Sequence, residues 1–580
     1  MANAKPWRII PRPLLETVLN NHVQHHRVHQ PLILHGPRGV GKTTLILERL
    51  FEKWNTGPHV TGYVDFAESI KEYHPKHGQS YPWISWTMCP SPKLVTLKTQ
   101  LEDCLESMAH RAIKLGTISS HQIFTTLTKW HSPTTALNQI LNVNTVSKMR
   151  IVNKKNKVSP SNLWENAVLK FSSALSEQEL DGVFDQSISV EESSYYKEAM
   201  AALKLAKEVI RVQGKWRENA IQDLNSRGGF SRSLAHSATD WPCLLLELLS
   251  LAAEVDYFQP KLVINNIELL KNATLENDRM ICGSTYHDSL IWRIIALGAN
   301  ERCLPVVFVT SDGYYSYRAF IDFGFPDIFI SRETFGWSPA EGKLHMVGDY
   351  FSQSEWEVIN EVLGPNSRHL FEVYALKLSN DYQNSLGLVF AYSLPKKVAK
   401  HVYPSNHRLN FENTFEDIMD LYLAYLQVSV VNPSMDKALL LLEKFAVDDQ
   451  NGKIPEDTLR VGAPWRHPPK TDIAVWAKIQ LMDFIQSLVN AGFAVNYFAD
   501  WSLEFLEDPA ADALLQVGLL YTQRDPSYIR PVSRGIQRCL VRWLVQERLN
   551  LSLKHSFHFQ WQRVIRGRSY RHLLKQVGVK

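Results

Sequence analysis

The sequence predicts an α/β fold: a doubly wound parallel sheet with a helical insertion, followed by a mostly α-helical C-terminal region. Three observations carry this prediction. A short apolar run at residues 31–34 ends in a glycine-rich turn, and a helix-compatible segment follows it. Further short apolar runs return after long helical stretches, which is typical of parallel strands joined by helices. From about Phe411 onward, nearly all of the periodicity is helical.

The composition is that of an ordinary soluble protein, with 45% apolar and 21% charged residues. At 580 residues the chain is too long for one core, so roughly two to four domains are expected. The most apolar stretch, 243–253, is short and interrupted by Glu247, which predicts no membrane span. The six cysteines form no C-x-x-C pair, which argues against a disulfide framework or zinc knuckle and favours a reducing compartment.

The glycine-rich turn fits the spacing G-x-x-x-x-G-K-[ST]. Its residues are Gly36, Pro37, Arg38, Gly39, Val40, Gly41, Lys42, Thr43 and Thr44. Glycines let the backbone approach a ligand closely, and successive N–H groups at a helix N-terminus bind phosphate. In this pattern Lys42 reaches the β- and γ-phosphates, and the Thr43 hydroxyl ligates Mg²⁺. This stretch, the glycine-rich loop, resembles that of a P-loop NTPase.

The remaining elements are assigned from periodicity and turn residues. Strands are predicted at 32–34, 60–66, 261–268, 304–310 and 344–347. The span between the second and third strands is mostly helical, which predicts a helical insertion at about 90–240. We expect a nucleotide-binding core over 1–400, a helical lid over 401–490 and a basic winged-helix-like domain over 491–580. The last assignment depends on a hairpin at 519–530 between two helices.

The order of glycine-rich loop, second strand, third strand and polar-tipped fourth strand resembles the additional-strand P-loop ATPases. These include the AAA+ proteins and the signal-transducing STAND branch with the archaeal-type ATPases. In that family two acids end the third strand: the first holds Mg²⁺ through water and the second polarises the attacking water. Asn265 and Asn266 stand there in this sequence. The resemblance therefore implies ATP and Mg²⁺ as cofactors, with Thr43 and Asn265 at the metal, but Asn266 cannot act as a base.

Three further residues are candidates for catalysis. If strand alternation continues, Glu268 points to the same side as Asn266 and replaces the missing base; alternatively, it caps or starts the next helix. Thr310 and Ser311 match the family's sensor position, where a polar side chain contacts the γ-phosphate or the water. The alternative for this pair is an ordinary polar turn at the end of a strand.

The C-terminal residues 524–580 hold thirteen lysines and arginines against two acids. Arg534, Arg538 and Arg542 recur every fourth residue and form one basic stripe along a helix. More arginines follow at 563–571 among aromatic residues, which suits a phosphate backbone with stackable bases. This predicts DNA or RNA as a partner. The alternative is a basic face that docks on the chain's own acidic remainder or on a partner protein.

The sequence thus predicts an ATP-binding switch with slow hydrolysis, in which ATP and ADP change the contacts of the lid and tail. A non-hydrolysing scaffold for protein or nucleic acid is the alternative, and an origin-recognition-like AAA+ DNA-binding protein is another. Residues 1–30 carry no apolar signal-peptide run, so we expect an intracellular location, cytoplasmic or nuclear. The single acid in this segment, Glu16, leaves an organelle open, and ring, dimer and monomer all remain open.

Overall fold

The structure is a computed structural model. The described residues are 7–67, 92–143, 159–174, 190–225, 237–255, 257–271, 273–274, 283–313, 315, 328–378, 415–452, 468, 472–493, 495–496, 508–523 and 528–566. They are mostly helical, and five of their strands form one parallel sheet, which is an α/β arrangement.

The sheet has the order β2-β3-β4-β1-β5, and every neighbouring pair is parallel. Its strands are β1 Leu32–His35, β2 Val60–Asp65, β3 Pro260–Asn265, β4 Val306–Thr310 and β5 Ile330–Glu333. Since β4 lies between β1 and β3, the carboxyl ends of these three strands meet at one edge of the sheet. Ligands of open parallel sheets bind at that edge.

Helices surround this sheet and separate its strands in sequence. Up to β5 they are α1 Pro13–Gln24, α2 (Lys42–Leu45, a π-helical turn Ile46–Leu50, and Phe51–Trp54), α3 Leu94–Lys114, α4 Ser120–Trp130, α5 Thr134–Val143, α6 Pro160–Ala174, α7 Val190–Asn225, α8 Asp240–Ala252, α9 Glu268–Lys271 and α10 Gly283–Glu301. Helices α3 to α8 lie between β2 and β3, where the helical insertion is predicted.

Both faces of the sheet are covered. Leu32 and Leu34 of β1 pack into a cluster with residues of α1 and α2, whereas Ile33 packs into the larger cluster that contains the insertion. Residues of β3 alternate in the same way, with Val263 on the first face and Leu262 on the second. Strands that are buried on both faces consist of nearly continuous apolar residues, so these strands could be predicted from the sequence.

After β5 the described residues are mainly helical, with a small antiparallel sheet of order β6-β8-β7. Its elements are α11 Pro339–Met346, α12 Gln353–Val362, α13 Ser367–Leu378, α14 Phe415–Leu426 (continued by a π-helical turn, Gln427–Val431), α15 Asn432–Gln450, α16 Ile473–Asn490, β6 Val495–Asn496, α17 Pro509–Gln516, β7 Leu520–Gln523, β8 Tyr528–Pro531, α18 Arg534–Asn550 and α19 Leu553–Arg566. The hairpin of β7 and β8 occurs where the sequence predicts one.

The fifth strand was assigned wrongly from the sequence. The stretch 344–347 belongs mainly to helix α11, which ends at Met346, and the fifth strand is β5. The helix begins at a capping box in which Ser338 and Glu341 each satisfy the other's backbone N–H. Its proline at the first turn also favours a helix start.

One hydrophobic cluster joins helices on both sides of the predicted boundaries at 400 and 490. It contains Met346 and Leu370 before the first boundary, Leu426 and Phe484 between the two, and Leu540 after the second. The three-part division of the chain stays a prediction. Among the described helices, none combines the length and the apolar character that crossing a membrane requires.

Candidate functional site

The glycine-rich loop connects β1 to α2 at the carboxyl edge of the sheet. Gly39 and Gly41 adopt φ values of 81° and 86°, in the left-handed region that disfavours other residues. A Cβ atom on Gly36 would lie 2.2 Å from the carbonyl oxygen of Thr334, which follows β5. Val40 is buried, while Thr44 is exposed in the first turn of α2. These positions fix the course of the loop.

Lys42 folds back over the loop that precedes it. Its side chain is buried, and Nζ donates to the carbonyl oxygens of Gly36 at 2.6 Å and Pro37 at 3.0 Å. Ser311 Oγ at the tip of β4 accepts from the same nitrogen at 3.4 Å. Burial lowers the pKa of Lys42 to about 7, although Glu268 acts in the opposite direction. The lysine nitrogen is thus held among carbonyl oxygens at the start of α2.

Asn265, at the end of β3, reaches the first turn of α2. Its Nδ2 donates to Thr43 Oγ1 at 3.2 Å and to the Tyr63 hydroxyl at 3.1 Å. Thr43 and Asn265, the two residues that the resemblance assigns to Mg²⁺, therefore lie in contact. The group of Asn265 that contacts Thr43 is the amide nitrogen, a donor, and not the amide oxygen. Asn266 adopts a φ of 56°, and its Nδ2 donates to Asp65 Oδ1 at 2.7 Å.

Glu268 is the first residue of α9 and does not continue β3. The alternation that predicted its direction fails because the strand ends at Asn265 and the chain turns at Asn266. Its carboxylate nevertheless lies at the tip of β4, where Oε1 accepts from Ser311 N at 3.2 Å. Burial raises the pKa of Glu268, and the Arg38 charge and nearby donors partly offset this effect. The other oxygen, Oε2, is buried and makes no hydrogen bond with the described residues.

The sensor candidates differ in what they contact. The Ser311 hydroxyl accepts a hydrogen bond from Lys42 Nζ, and the Ser311 backbone N–H donates one to Glu268 Oε1. Thr310 Oγ1 accepts from Asp312 N at 3.0 Å and so caps the turn that follows β4. Of the two, Ser311 is the one whose hydroxyl faces the lysine of the loop.

A second group on the loop was missed by sequence reasoning. Asn366 Nδ2 donates to the Arg38 carbonyl at 3.2 Å, and Ser367 Oγ donates to the Gly39 carbonyl at 2.6 Å. The backbone N–H of Arg368 donates to the same Gly39 oxygen at 3.2 Å. The start of α13 thus holds the backbone of the loop, and a polar helix start beside Pro365 was the only local signal of it.

The C-terminal hairpin covers the same edge of the sheet. The Tyr521 hydroxyl on β7 donates to Glu333 Oε1 at 2.8 Å and lies 3.1 Å from His35 Nδ1. Two glycines beside this contact have no room for a side chain. A Cβ added to Gly313, which follows β4, would lie 2.0 Å from Thr522 O, and a Cβ added to Gly518, which precedes β7, would lie 2.7 Å from Arg38 Cζ.

A cleft of about 100 Å³ remains between the hairpin and the loop. On the side of the parallel sheet it is lined by Arg38, Glu268, Ser311, Asp312 and Gly313. On the C-terminal side it is lined by Leu515, Gln516, Gly518, Leu520, Tyr521, Thr522 and Val532. The cleft brings the predicted site residues against the region that was predicted to respond to the nucleotide.

The basic stripe contacts the chain itself. Arg534 donates to the Asn360 carbonyl at 2.9 Å, and Arg538 donates to the Glu361 carbonyl at 3.2 Å. Both acceptors lie in the last turn of α12, where the helix dipole favours cations. Arg542, one turn further on, is exposed. The predicted basic residues 568–571 lie outside the described residues.

These contacts give the first prediction. Replacing Arg534 and Arg538 together with alanine should destabilise the fold by about 1 kcal/mol, because two exposed cations leave a helix C-terminus. The midpoint of urea unfolding, followed by circular dichroism, measures this loss. Arg542→Ala is the matched control and should leave the midpoint unchanged. A double variant that keeps its midpoint but binds nucleic acid more weakly would contradict the intramolecular role of the stripe.

Compared with known proteins, the chain matches no protein-family model and no curated protein at a significant level.

Proposed function

We propose that this chain is a P-loop protein that binds ATP and ADP in the glycine-rich loop and uses the bound nucleotide to set the position of its C-terminal region. The observation that carries the proposal is the arrangement of the loop: left-handed glycines, a helix that starts at Lys42, and the lysine Nζ held at the centre of the loop. Backbone N–H groups and a lysine in this arrangement suit phosphate groups.

The strand order supports the assignment to the additional-strand class. In that class one strand separates the strand of the phosphate loop from the strand that carries the acids. Here β4 separates β1 from β3, and Asn265 and Asn266 follow the carboxyl end of β3. The same order places Ser311 beside Lys42, where the proposal needs a sensor for the γ-phosphate.

Hydrolysis is slow in this proposal, below about 0.1 s⁻¹ and under the usual range of enzymes. Asn266 cannot accept a proton and is tied to Asp65. Glu268 faces Ser311, but its Oε1 already accepts from the Ser311 backbone N–H, so this oxygen is not free to orient an attacking water.

The switch is the contact between the hairpin and the loop. Elements α16, β6, α17, β7 and β8 follow the order of a winged-helix module, and β7 lies on the tips of β1, β4 and β5 through Tyr521 and Gly313. A triphosphate occupies more of the cleft than a diphosphate. We therefore expect ATP to displace the hairpin more than ADP does, which is how a ligand shifts a two-state element.

The proposal is tested by isothermal titration calorimetry of residues 1–580 with ATP and with ADP, followed by single-turnover hydrolysis of radiolabelled ATP. We expect a Kd below about 100 μM, equivalent to ~5.5 kcal/mol, and one site per chain. Absence of binding to either nucleotide at 1 mM would reject the proposal. If ATP binds but no ADP forms within hours, the chain is the non-hydrolysing scaffold that the sequence offered as the alternative.

Proton uptake on binding is a second prediction. With a pKa of about 7, Lys42 carries a proton in only about a tenth of the free molecules at pH 8. Phosphate groups favour the charged lysine and raise its pKa, so ATP binding at pH 8 should take up close to one proton per site. At pH 6 the lysine is already protonated, and its contribution to proton uptake should fall to nearly zero.

Calorimetry at pH 8 in two buffers with different ionisation enthalpies measures this uptake. Lys42→Arg is the matched control because the guanidinium stays charged at every pH used. Equal uptake by the wild-type chain and by this variant would show that the proton goes elsewhere.

Nucleic acid is a second candidate partner, and one observation favours it. The rings of Phe557 and Trp561 on α19 stack 6.1 Å apart, and both side chains are more than half exposed. Exposed aromatic side chains stack on the bases of single strands. Fluorescence anisotropy with single-stranded and duplex oligonucleotides at two salt concentrations tests this partner. Affinity weaker than about 10⁻⁴ M at low salt would exclude it.

A further inference from the structure

The side chain of Asn265 has a defined orientation at the glycine-rich loop. The backbone N–H of Asn266 donates to Val309 O at 2.8 Å and shares its hydrogen with Asn265 Oδ1 at 3.1 Å. An amide nitrogen in that position would face an N–H group, so the oxygen belongs there. The nitrogen is thereby directed at Thr43 Oγ1 and at the Tyr63 hydroxyl.

This orientation gives the Thr43 hydroxyl the wrong polarity for a metal. A cation needs the lone pairs of the hydroxyl, and a carboxylate or carbonyl oxygen beside it to accept from the metal's water molecules. Here Asn265 donates into the hydroxyl oxygen and presents N–H groups where such an acceptor is required. The hydroxyl, having accepted, retains its own hydrogen to donate, which suits a phosphate oxygen.

The nearby acids do not replace the missing acceptor. Asp65 Oδ1 accepts from Asn266 Nδ2 and from the backbone N–H of Ala67 at 2.9 Å. Glu268 is directed at Ser311 N on the β4 side of the loop. Within the part of the chain that the structure describes, no three histidines, cysteines or acids are grouped to hold a metal ion. The residues present at Thr43 and Asn265 do not fit Mg²⁺.

We infer that the glycine-rich loop binds the nucleotide as its metal-free polyanion, with N–H donors of Asn265 and the Lys42 charge in place of Mg²⁺. This inference rests on the proposed function, since it concerns the form in which the nucleotide is bound. Magnesium in solution then competes with the protein for the nucleotide, because only the metal-free fraction binds.

The test is a calorimetric titration of residues 1–580 with ATP in excess EDTA and in excess MgCl₂. We expect the apparent affinity in EDTA to be at least about tenfold tighter than in excess MgCl₂, because magnesium leaves only a small fraction of the nucleotide metal-free. An affinity in EDTA that is equal to or weaker than that in MgCl₂ would overturn the inference while leaving nucleotide binding intact. Absence of binding in both buffers would instead reject the proposed function.

Two variants of Asn265 identify the residue responsible. Asn265→Asp replaces the N–H donors with a carboxylate, so ATP affinity should fall at least tenfold in EDTA and recover when Mg²⁺ is added. Asn265→Ala removes the donors without adding charge, so its affinity should fall to a similar extent in both buffers. Thermal unfolding of each variant verifies that it is folded. If Asn265→Asp binds ATP equally well in both buffers, the amide does not stand in for the metal, and the inference fails.

Discussion

Replacing Lys42 with alanine is expected to weaken ATP binding at least tenfold, a loss of about 1.4 kcal/mol or more. The ammonium group lies 2.6 Å and 3.0 Å from two carbonyl oxygens of the glycine-rich loop and is buried there. Without it, the loop keeps its backbone N–H groups but loses the cation that faces the β- and γ-phosphates. Calorimetric titration with ATP, at one pH and ionic strength, measures the change in Kd.

Lys261 provides a matched control for this substitution. It is also a buried lysine whose pKa is lowered by burial, to about 8, but it lies near the amino end of β3, away from the loop. Lys261→Ala therefore removes a similar side chain without touching the site and should leave the Kd unchanged. Equal ATP affinity in wild type and Lys42→Ala would remove the basis for a P-loop assignment.

The central strands and long helices could be predicted because their signals are local. Strands β1, β3 and β4 are buried on both faces and appear as continuous apolar runs. The span 90–240, which was predicted to be a helical insertion, contains helices α3 to α7. The glycine-rich loop was equally visible, since its spacing is fixed by the backbone conformations that it requires.

Strand β5 was missed because it lacks that signal. Its residues Ile330–Glu333 are partly exposed, and among the described strands it pairs with β1 alone, at the edge of the sheet. The run 344–347 is more apolar, yet it lies mainly in α11, whose start is set by Ser338. An apolar run of four residues is too short to show whether its periodicity is that of a helix or that of a strand. Here the capping residues at 338–341 favour the helix.

The contacts that complete the site could not be predicted because they join residues far apart in sequence. Ser367 contacts the loop from 328 residues away, and Tyr521 contacts His35 from 486 residues away. The pattern placed Glu268 on a strand, whereas the left-handed conformation of Asn266 turns the chain before it. Asparagine tolerates that conformation better than glutamate does.

Replacing Gly313 with alanine should release the C-terminal hairpin from the loop. An alanine Cβ would lie 2.0 Å from the carbonyl oxygen of Thr522 and 3.0 Å from the Tyr521 hydroxyl, so β7 has to move. The φ of Gly313 is one that alanine adopts, and the strain is therefore confined to this contact. Overpacking of this kind costs about 1–3 kcal/mol, which corresponds to roughly 5- to 150-fold.

Hydrogen–deuterium exchange of the amides at 520–523 measures this release, and we expect exchange to accelerate by that factor without nucleotide. In the proposed switch ATP displaces the hairpin, so adding ATP to the wild-type chain should also accelerate exchange at these amides. In the Gly313→Ala chain, where the hairpin is already released, ATP should accelerate their exchange less. Gly214→Ala is the matched control. This glycine lies in helix α7, and apart from the helix's own neighbouring backbone no atom lies within 4 Å of an added Cβ, so the variant should exchange like wild type. If exchange is faster in Gly313→Ala but ATP does not change exchange in the wild-type chain, nucleotide binding does not alter the contact between the hairpin and the loop. The hairpin would then be a structural support of the loop rather than its reporter.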